Sequence, residues 1–238
     1  MTKPRTLAVM QPYLFPAANY FQLVNVADDF VFYDDVDYIN RGWINRNRIQ
    51  QAGKEVKFSV PVSRGPRGTP IKDVPLNEYP MWRSKFLKTL SACYASAPSF
   101  EAVFELVTSV LDCECETISE LAIESITATA RYLELDARFY RSSVSAPETR
   151  GIGRTERMLA LCERFEASRY VNSIGGQELY DVDDFAQNGI ELKFLEPVFP
   201  VYEQPGPEFL PMLSMIDVMM YMSREDVRTA LGDYSLVS

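Results

Sequence analysis

Short apolar runs alternate with polar or proline-bearing segments along the first part of the chain. Residues 7–10, Leu-Ala-Val-Met, contain no polar position. Such a run predicts a strand buried on both faces, as in a parallel sheet. Pro12 and Pro16 then forbid regular structure over residues 11–16, which predicts a loop. Residues 19–28 fit a helix with Phe21, Leu23 and Val24 turned inward, and the apolar residues 30–33 predict a second strand. Strand, loop, helix and strand in this order open a doubly wound sheet.

Residues 43–50 and 56–62 read as extended, and residues 64–75, rich in Pro, Gly and basic side chains, predict a long mobile loop. From 81 to 133 the apolar positions take helical spacing: Phe100, Val103, Phe104 and Val107, then Ile118, Leu121 and Ala122 with Ser125. Pro98 interrupts this section. The alternation then returns, with a strand at 139–141 and a helix at 155–165 carrying Met158, Leu159, Leu161 and Cys162. A strand at 169–172, a turn at Gly175-Gly176, a short helix at 183–187 and a strand at 190–195 follow. Pro197, Pro200, Pro205, Pro207 and Pro211 mark an extended segment. Residues 213–222 predict an apolar helix that suits either a homodimer contact or a buried core position.

The expected class is therefore α/β, with a mostly parallel, Rossmann-like sheet and a helical insertion. Residues 1–80 would form the first part of the α/β domain and carry the site. Residues 81–135 would form the insertion, and 136–238 the rest of the α/β domain with tail helices. A chain of 238 residues suffices for one substantial core or two small ones.

Charge and composition narrow the chemistry. The net charge of −9 disfavours a phosphate backbone or an anionic lipid surface as the main partner, so no nucleic acid is expected. No apolar run approaches the roughly 18 residues of a membrane span, and no signal core precedes residue 6, which predicts a cytoplasmic protein. The sequence has no histidine, which excludes Ser-His-Asp and Cys-His catalysis and imidazole metal sites. Cys93, Cys113, Cys115 and Cys162 form no CxxC pair. On a helix Cys113 and Cys115 would diverge by about 200°, so reduced thiols are expected and no metal site.

The densest polar cluster lies between Gln11 and Arg48. Ligands in open α/β sheets bind beyond the carboxyl ends of strands, where Gln11 and Asp34, Asp35 and Asp37 are expected. Asp34 and Asp35 are candidate general bases; an acidic turn paired with surface arginines fits the same residues. If residues 43–50 are a strand, Arg46 and Arg48 share one face with Ile44, and Asn45 and Asn47 share the other with Trp43. Trp beside two amides suits a sugar or base, and Arg suits phosphate. Arg154 and Thr155, after Gly151 and Gly153, open a helix where Thr155 could cap or a phosphate could sit. Ser173, Gly175 and Gly176 follow a strand and suit either anion contact or a tight turn. Ser214, with Asp217 three residues on, is better read as a helix cap than as a nucleophile.

Several strings together resemble the WbqC-like family. They are Gln11-Pro12-Tyr13-Leu14-Phe15-Pro16, Tyr20-Phe21-Gln22-Leu23, Tyr33-Asp34-Asp35-Val36 with Tyr38, and Arg41 through Ile49. Thr155 through Leu159, Asn172-Ser173 with Gly175-Gly176, and Phe209 through Asp217 agree as well. The likeness spans nearly the whole chain. Two positions depart from the family pattern: Asn19 stands where Gly is usual, and Asp37 where Gln is usual. The family is associated with O-antigen and related glycan gene clusters, so the resemblance implies work on a sugar or nucleotide-linked sugar.

The leading expectation is a transferase that adds an acyl or aminoacyl group to a nucleotide-linked amino sugar. Asp34 and Asp35 would activate the amine or bind a cation. Gln11, Trp43, Asn45 and Asn47 would hold the sugar and Arg46, Arg48 and Arg154 its phosphates, with Tyr13, Asn19, Tyr20, Asp37, Thr155, Ser173, Gly175 and Gly176 as further substrate-binding residues. The spacing of strand, loop and helix is also similar to nucleotidylyltransferases at the level of fold. An ATP-dependent ligase or nucleotidylyltransferase, using a nucleotide with magnesium, is the alternative. A non-catalytic sugar-binding or scaffold protein is the other.

Overall fold

The apolar run 7–10, together with Thr6, becomes one of the two central strands of a sheet with helices on both faces. The computed structural model describes residues 4–63 and 65–238. Met1, Thr2, Lys3 and Arg64, the first residue of the expected mobile loop, lie outside the described residues. The chain runs β1 (Thr6–Met10), α1 (Ala18–Val26), β2 (Asp29–Phe32), a hairpin of β3 (Arg46–Gln51) and β4 (Lys54–Ser59), then α2 (Tyr79–Tyr94), α3 (Phe100–Leu111) and α4 (Ile118–Tyr132). It continues as β5 (Arg138–Arg141), α5 (Ser142–Ser145), α6 (Arg154–Arg164), β6 (Arg169–Ser173), α7 (Val182–Gln187), β7 (Glu191–Pro197), α8 (Met215–Tyr221), α9 (Arg224–Ala230) and β8 (Tyr234–Val237).

The main sheet has the order β5-β2-β1-β6-β7-β8. All pairs are parallel except β7 with β8. This is the Rossmann-like order, and it reverses between β1 and β6. Side chains alternate across the sheet. Ala8, Phe30 and Phe32 enter one core with α1, α2, α3, α4 and α8, while Leu7, Val9 and Val31 enter a second with Met158, Leu161, Phe165 and Phe185. Burial on both faces is why β1 and β2 carry uninterrupted apolar runs.

Local chemistry sets several ends. Thr117 and Glu120 form a reciprocal capping box at the start of α4. Helix α8 begins where the Ser214 hydroxyl accepts from the Ile216 N–H at 3.2 Å, as its cap reading expected. Residues 215–220 of α8 are all buried within the chain, which matches the core reading of this segment.

Four expectations need correction. Residues 43–45 are a bent turn, because Arg41 adopts φ +66° and the strand starts only at Arg46. Residues 69–75 are held in place rather than loose: Tyr38, Ile71 and Lys72 donate backbone N–H groups to Thr69, Val36 and Asp34, and Ile71 is fully buried. Helix α9 and strand β8 follow the expected tail helix, with β8 adding an antiparallel edge. Cys113 and Cys115 are joined by a disulfide, their Cα atoms 5.3 Å apart. They lie in the turn between α3 and α4, so helical divergence does not separate them.

Residues 198–214 cross from β7 to α8 as a strap without regular structure. Gly206 at its tip packs against the backbone of Gly53 in the β3–β4 turn, where a Cβ on either residue would collide with the other's backbone. Tyr202 donates to the buried Asp217 carboxylate at 2.6 Å, and Tyr94 of α2 donates to its other oxygen at 2.5 Å. Burial raises the Asp217 carboxyl above its ordinary value, opposed by hydrogen bonds from Tyr202, Tyr94, Gln50 and Gln204. The folded state therefore holds this proton more tightly than the unfolded chain. Its stabilising share is complete below the ordinary carboxylate range, falls as pH rises toward the folded value, and is constant above. Urea unfolding of wild type and Asp217→Asn from about pH 3 to pH 7 should show wild type losing ground to the variant as pH rises. A pH-independent difference would contradict this assignment.

Among the described residues no helix is long and apolar enough to cross a membrane.

Candidate functional site

The loop after β1 owes its shape to side chains from three other elements. Asn47 of β3 donates to the carbonyls of Leu14 at 3.1 Å and Phe15 at 2.7 Å. The Ser214 hydroxyl also donates to the Phe15 carbonyl, at 2.7 Å, and the Phe15 N–H donates to Ser125 of α4 at 3.0 Å. These bonds hold Phe15 at φ +41°, an uncommon conformation for a bulky residue. The chain is thereby turned so that α1 starts beside the end of β1.

A cavity of about 190 Å³ opens at this point. Met10, Tyr13, Pro16 and Ala17 line it from β1 and its loop; Asn19, Tyr20 and Leu23 from α1; Trp43, Asn47 and Arg48 from the turn and β3. Ser173 at the end of β6 and Met212 of the strap complete it. Its walls thus come from the carboxyl ends of β1 and β6, where the sheet order reverses and such folds bind ligands.

Helix α1 has Ala17 at its N-cap, with no side-chain cap. Its N–H groups before Tyr20, which donates to the Ala17 carbonyl at 3.1 Å, lack intrahelical partners, and the positive end of the helix dipole lies at the cavity. The Tyr20 hydroxyl donates to the Gln11 carbonyl at 2.9 Å, and the Tyr13 hydroxyl to Gln11 Oε1 at 3.4 Å. Burial raises the Tyr13 phenol, and burial followed by Tyr13 raises the Tyr20 phenol well above its ordinary value. Both are protonated at neutral pH and serve as donors.

Trp43 is 43% exposed at the rim. The guanidinium carbons of Arg46 and Arg48 lie 5.7 and 5.4 Å from its ring centroid. Arg48 pairs with Glu55 at 2.8 Å and donates to the Met212 carbonyl at 3.0 Å, while its buried Nε has no partner among the described residues. Because the strand begins at Arg46, Trp43 joins the two arginines, and Asn47 turns inward to the loop. Asn45 is spent on the Val60 carbonyl at 2.8 Å and Ser59 at 3.1 Å.

Asp34 and Asp35 lie at the end of β2, outside the cavity lining. Both are buried. Asp34 accepts from the Ser142 hydroxyl at 3.1 Å, and from the N–H and hydroxyl of Ser143 at 3.0 and 2.7 Å. Asp35 accepts from Ser142 at 2.6 Å and from Arg157 Nη2 at 2.8 and 2.7 Å. Arg157 is itself buried, donates to Thr149 at 3.0 Å, and lies 4.5 Å from the Tyr33 ring centroid. The two carboxylates thus tie β2 to α5 and α6. Asp37 is exposed and bridges to Pro70.

Arg154 is exposed in the first turn of α6, whose N-cap is Gly153, so Thr155 is not the cap. Thr155 borders an open surface formed by residues 177–184. Gly176 packs against the Asn172 side chain, and Gly175 faces open space. The structure therefore gathers Tyr13, Asn19, Tyr20, Trp43, Asn47, Arg48 and Ser173 around one cavity, and leaves Gln11, Asp37, Asn45, Arg46, Arg154, Thr155, Gly175 and Gly176 outside its lining. A larger open groove, lined by Asp28, Glu134, Asp136, Arg138 and Arg228, lies at the opposite ends of the strands, away from the reversal point. Arg157, Ser142 and Met212 were not among the expected site residues. Arg157 stood inside a family string, but nothing local distinguishes it from a solvated helix arginine.

Residues 11–229 match the WbqC-like protein family. The chain is also similar to the uncharacterized protein Rv1507c of Mycobacterium tuberculosis, at 25% identity over 93% of this chain and 95% of that protein.

Proposed function

Because this chain belongs to the WbqC-like family, we propose that it works in polysaccharide biosynthesis, as a cytoplasmic transferase that adds an acyl or aminoacyl group to a nucleotide-linked amino sugar. The observation that carries this reading is the cavity at the sheet's reversal point, with aromatic walls and a helix N-terminus. In it, Tyr13, Tyr20 and Trp43 supply faces for a sugar or base ring. Asn19 and Ser173 supply hydrogen-bonding groups, and the α1 N-terminus suits an acceptor atom of the ligand. Asn19, where the family pattern has Gly, places an amide on the wall and sets ligand preference.

In this reading Asp34 and Asp35 position β2, α5 and α6. An uncharged amine is already nucleophilic, so orientation against the acyl donor is the main requirement. One observation favours a second reading, binding without turnover: among the described residues no carboxylate lines the cavity. Incubation with UDP-linked amino sugars and acyl or aminoacyl donors, followed by mass spectrometry, separates the two. A mass increase of the acyl group on the sugar supports the transferase. Thermal stabilisation by the nucleotide sugar with no product under any donor leaves the binding protein. At a hundred times the dissociation constant, a ligand adds about 2.7 kcal/mol, a shift well within reach.

A further inference from the structure

The reversal-point cavity is too small for a whole nucleotide-linked sugar. Its volume is about 190 Å³, whereas sites for molecules of that size run to roughly 300–1,000 Å³. One ring fits, and the remainder must lie outside. Trp43, Asn47 and Arg48 line one side of the cavity, and their chain neighbours Arg41, Asn45 and Arg46 line an open groove of about 560 Å³. Tyr38, Asn40, Arg41, Asn45, Arg46 and Ser59 line it.

The charge in this groove is unusual for so acidic a chain. The protein carries 24 basic against 33 acidic side chains. Arg5, Arg48, Arg138, Arg157 and Arg169 are all paired with carboxylates. Among the described residues neither Arg41 nor Arg46 forms an ion pair. Arg46 is instead oriented by backbone carbonyls: its Nε donates to Gly42 at 2.9 Å and its Nη2 to Arg41. Its guanidinium also reaches the Trp43 ring, whose side chain lines the cavity. The cation is thus fixed in place with its charge uncompensated, an arrangement suited to an anionic ligand.

We propose that the nucleotide-linked substrate lies across the Trp43 ridge, with one ring in the reversal-point cavity and its diphosphate in the groove on Arg41 and Arg46. This rests on the sugar-nucleotide reading above and names where that ligand's charge sits. The ring is sorted by Tyr13, Asn19 and Ser173; the diphosphate is held by Arg41 of the turn that follows β2 and Arg46 at the start of β3.

Calorimetric titration tests this with two probes, inorganic pyrophosphate and UDP-N-acetylglucosamine. The proteins are wild type, Arg41→Glu, Arg46→Gln and the cavity variant Ser173→Phe. Pyrophosphate should bind wild type and weaken about tenfold in Arg46→Gln, the loss of one charge-assisted contact, and further in Arg41→Glu, where a like charge replaces the cation. Ser173→Phe should leave pyrophosphate binding intact and weaken the nucleotide sugar, which the arginine variants weaken too. Arg46 shapes its turn, so Arg41→Glu carries the test if Arg46→Gln does not fold. Equal pyrophosphate binding by wild type and Arg41→Glu, or none by wild type, would overturn the groove assignment. Pyrophosphate binding that needs Arg41, with no nucleotide sugar bound at all, would uphold the anion groove and overturn the nucleotide-linked reading.

Discussion

Arg157→Ala lowers the stability of the folded chain by about 3–5 kcal/mol, the cost of stranding a buried charge. The Arg157 and Asp35 side chains are only 4% and 2% exposed, and their contact is 2.7 Å. Without the guanidinium, Asp35 keeps Ser142 as its hydrogen-bond donor, and Thr149 loses the Arg157 Nε–H. Urea unfolding measures the loss. Against the single variants Arg157→Leu and Asp35→Leu, the double variant should cost far less than their sum, because the second change removes the stranded carboxylate. A loss below about 1 kcal/mol, the range of an exposed pair, would mean that Asp35 tolerates isolation. It would return Asp35 to consideration as the base.

Asn47→Leu removes about 3 kcal/mol and weakens any ligand of the cavity at least tenfold. Three bonds vanish together: those to the Leu14 and Phe15 carbonyls, and the Arg48 N–H donated to Asn47 Oδ1 at 2.9 Å. Each buried group left unpaired costs roughly 1–3 kcal/mol. The Ser214 hydroxyl still holds the Phe15 carbonyl, which limits the total. The functional loss follows from the same geometry, since the Leu14–Phe15 turn places Pro16, Ala17 and the first turn of α1 on the cavity. Chemical unfolding and ligand titration on one preparation check both. An unchanged affinity beside a large stability loss would show that the loop keeps its shape without Asn47.

Sequence periodicity located the parts of the molecule governed by local burial. The runs at 7–10 and 30–33 became β1 and β2 because strands covered on both faces leave no room for polar alternation. The break at Pro98 separates α2 from α3. Bonds across long separations left no such trace. Ser142 meets Asp34 across 108 positions, and Arg157 meets Asp35 across 122. A carboxylate bound this way and one exposed in a turn read alike along the chain. Trp43 was misplaced for a different reason: the left-handed Arg41 delays the strand by three residues and swaps the face on which the indole falls. Asn45 and Asn47, attractive as ligand amides, are consumed by backbone carbonyls. Asn19, Tyr20 and Ser173, chosen from strand ends and the start of α1, do meet at one cavity.

In the proposed function that cavity receives the ring of a nucleotide-linked sugar. The most direct measurement is calorimetric titration of UDP-N-acetylglucosamine and its free-amine analogue into wild type and Trp43→Ala. Binding to wild type, with a loss of about tenfold when the indole is removed, is the predicted result, since stacking on one aromatic ring contributes roughly 1–3 kcal/mol. Binding of equal strength in both proteins, or none by wild type, would contradict it.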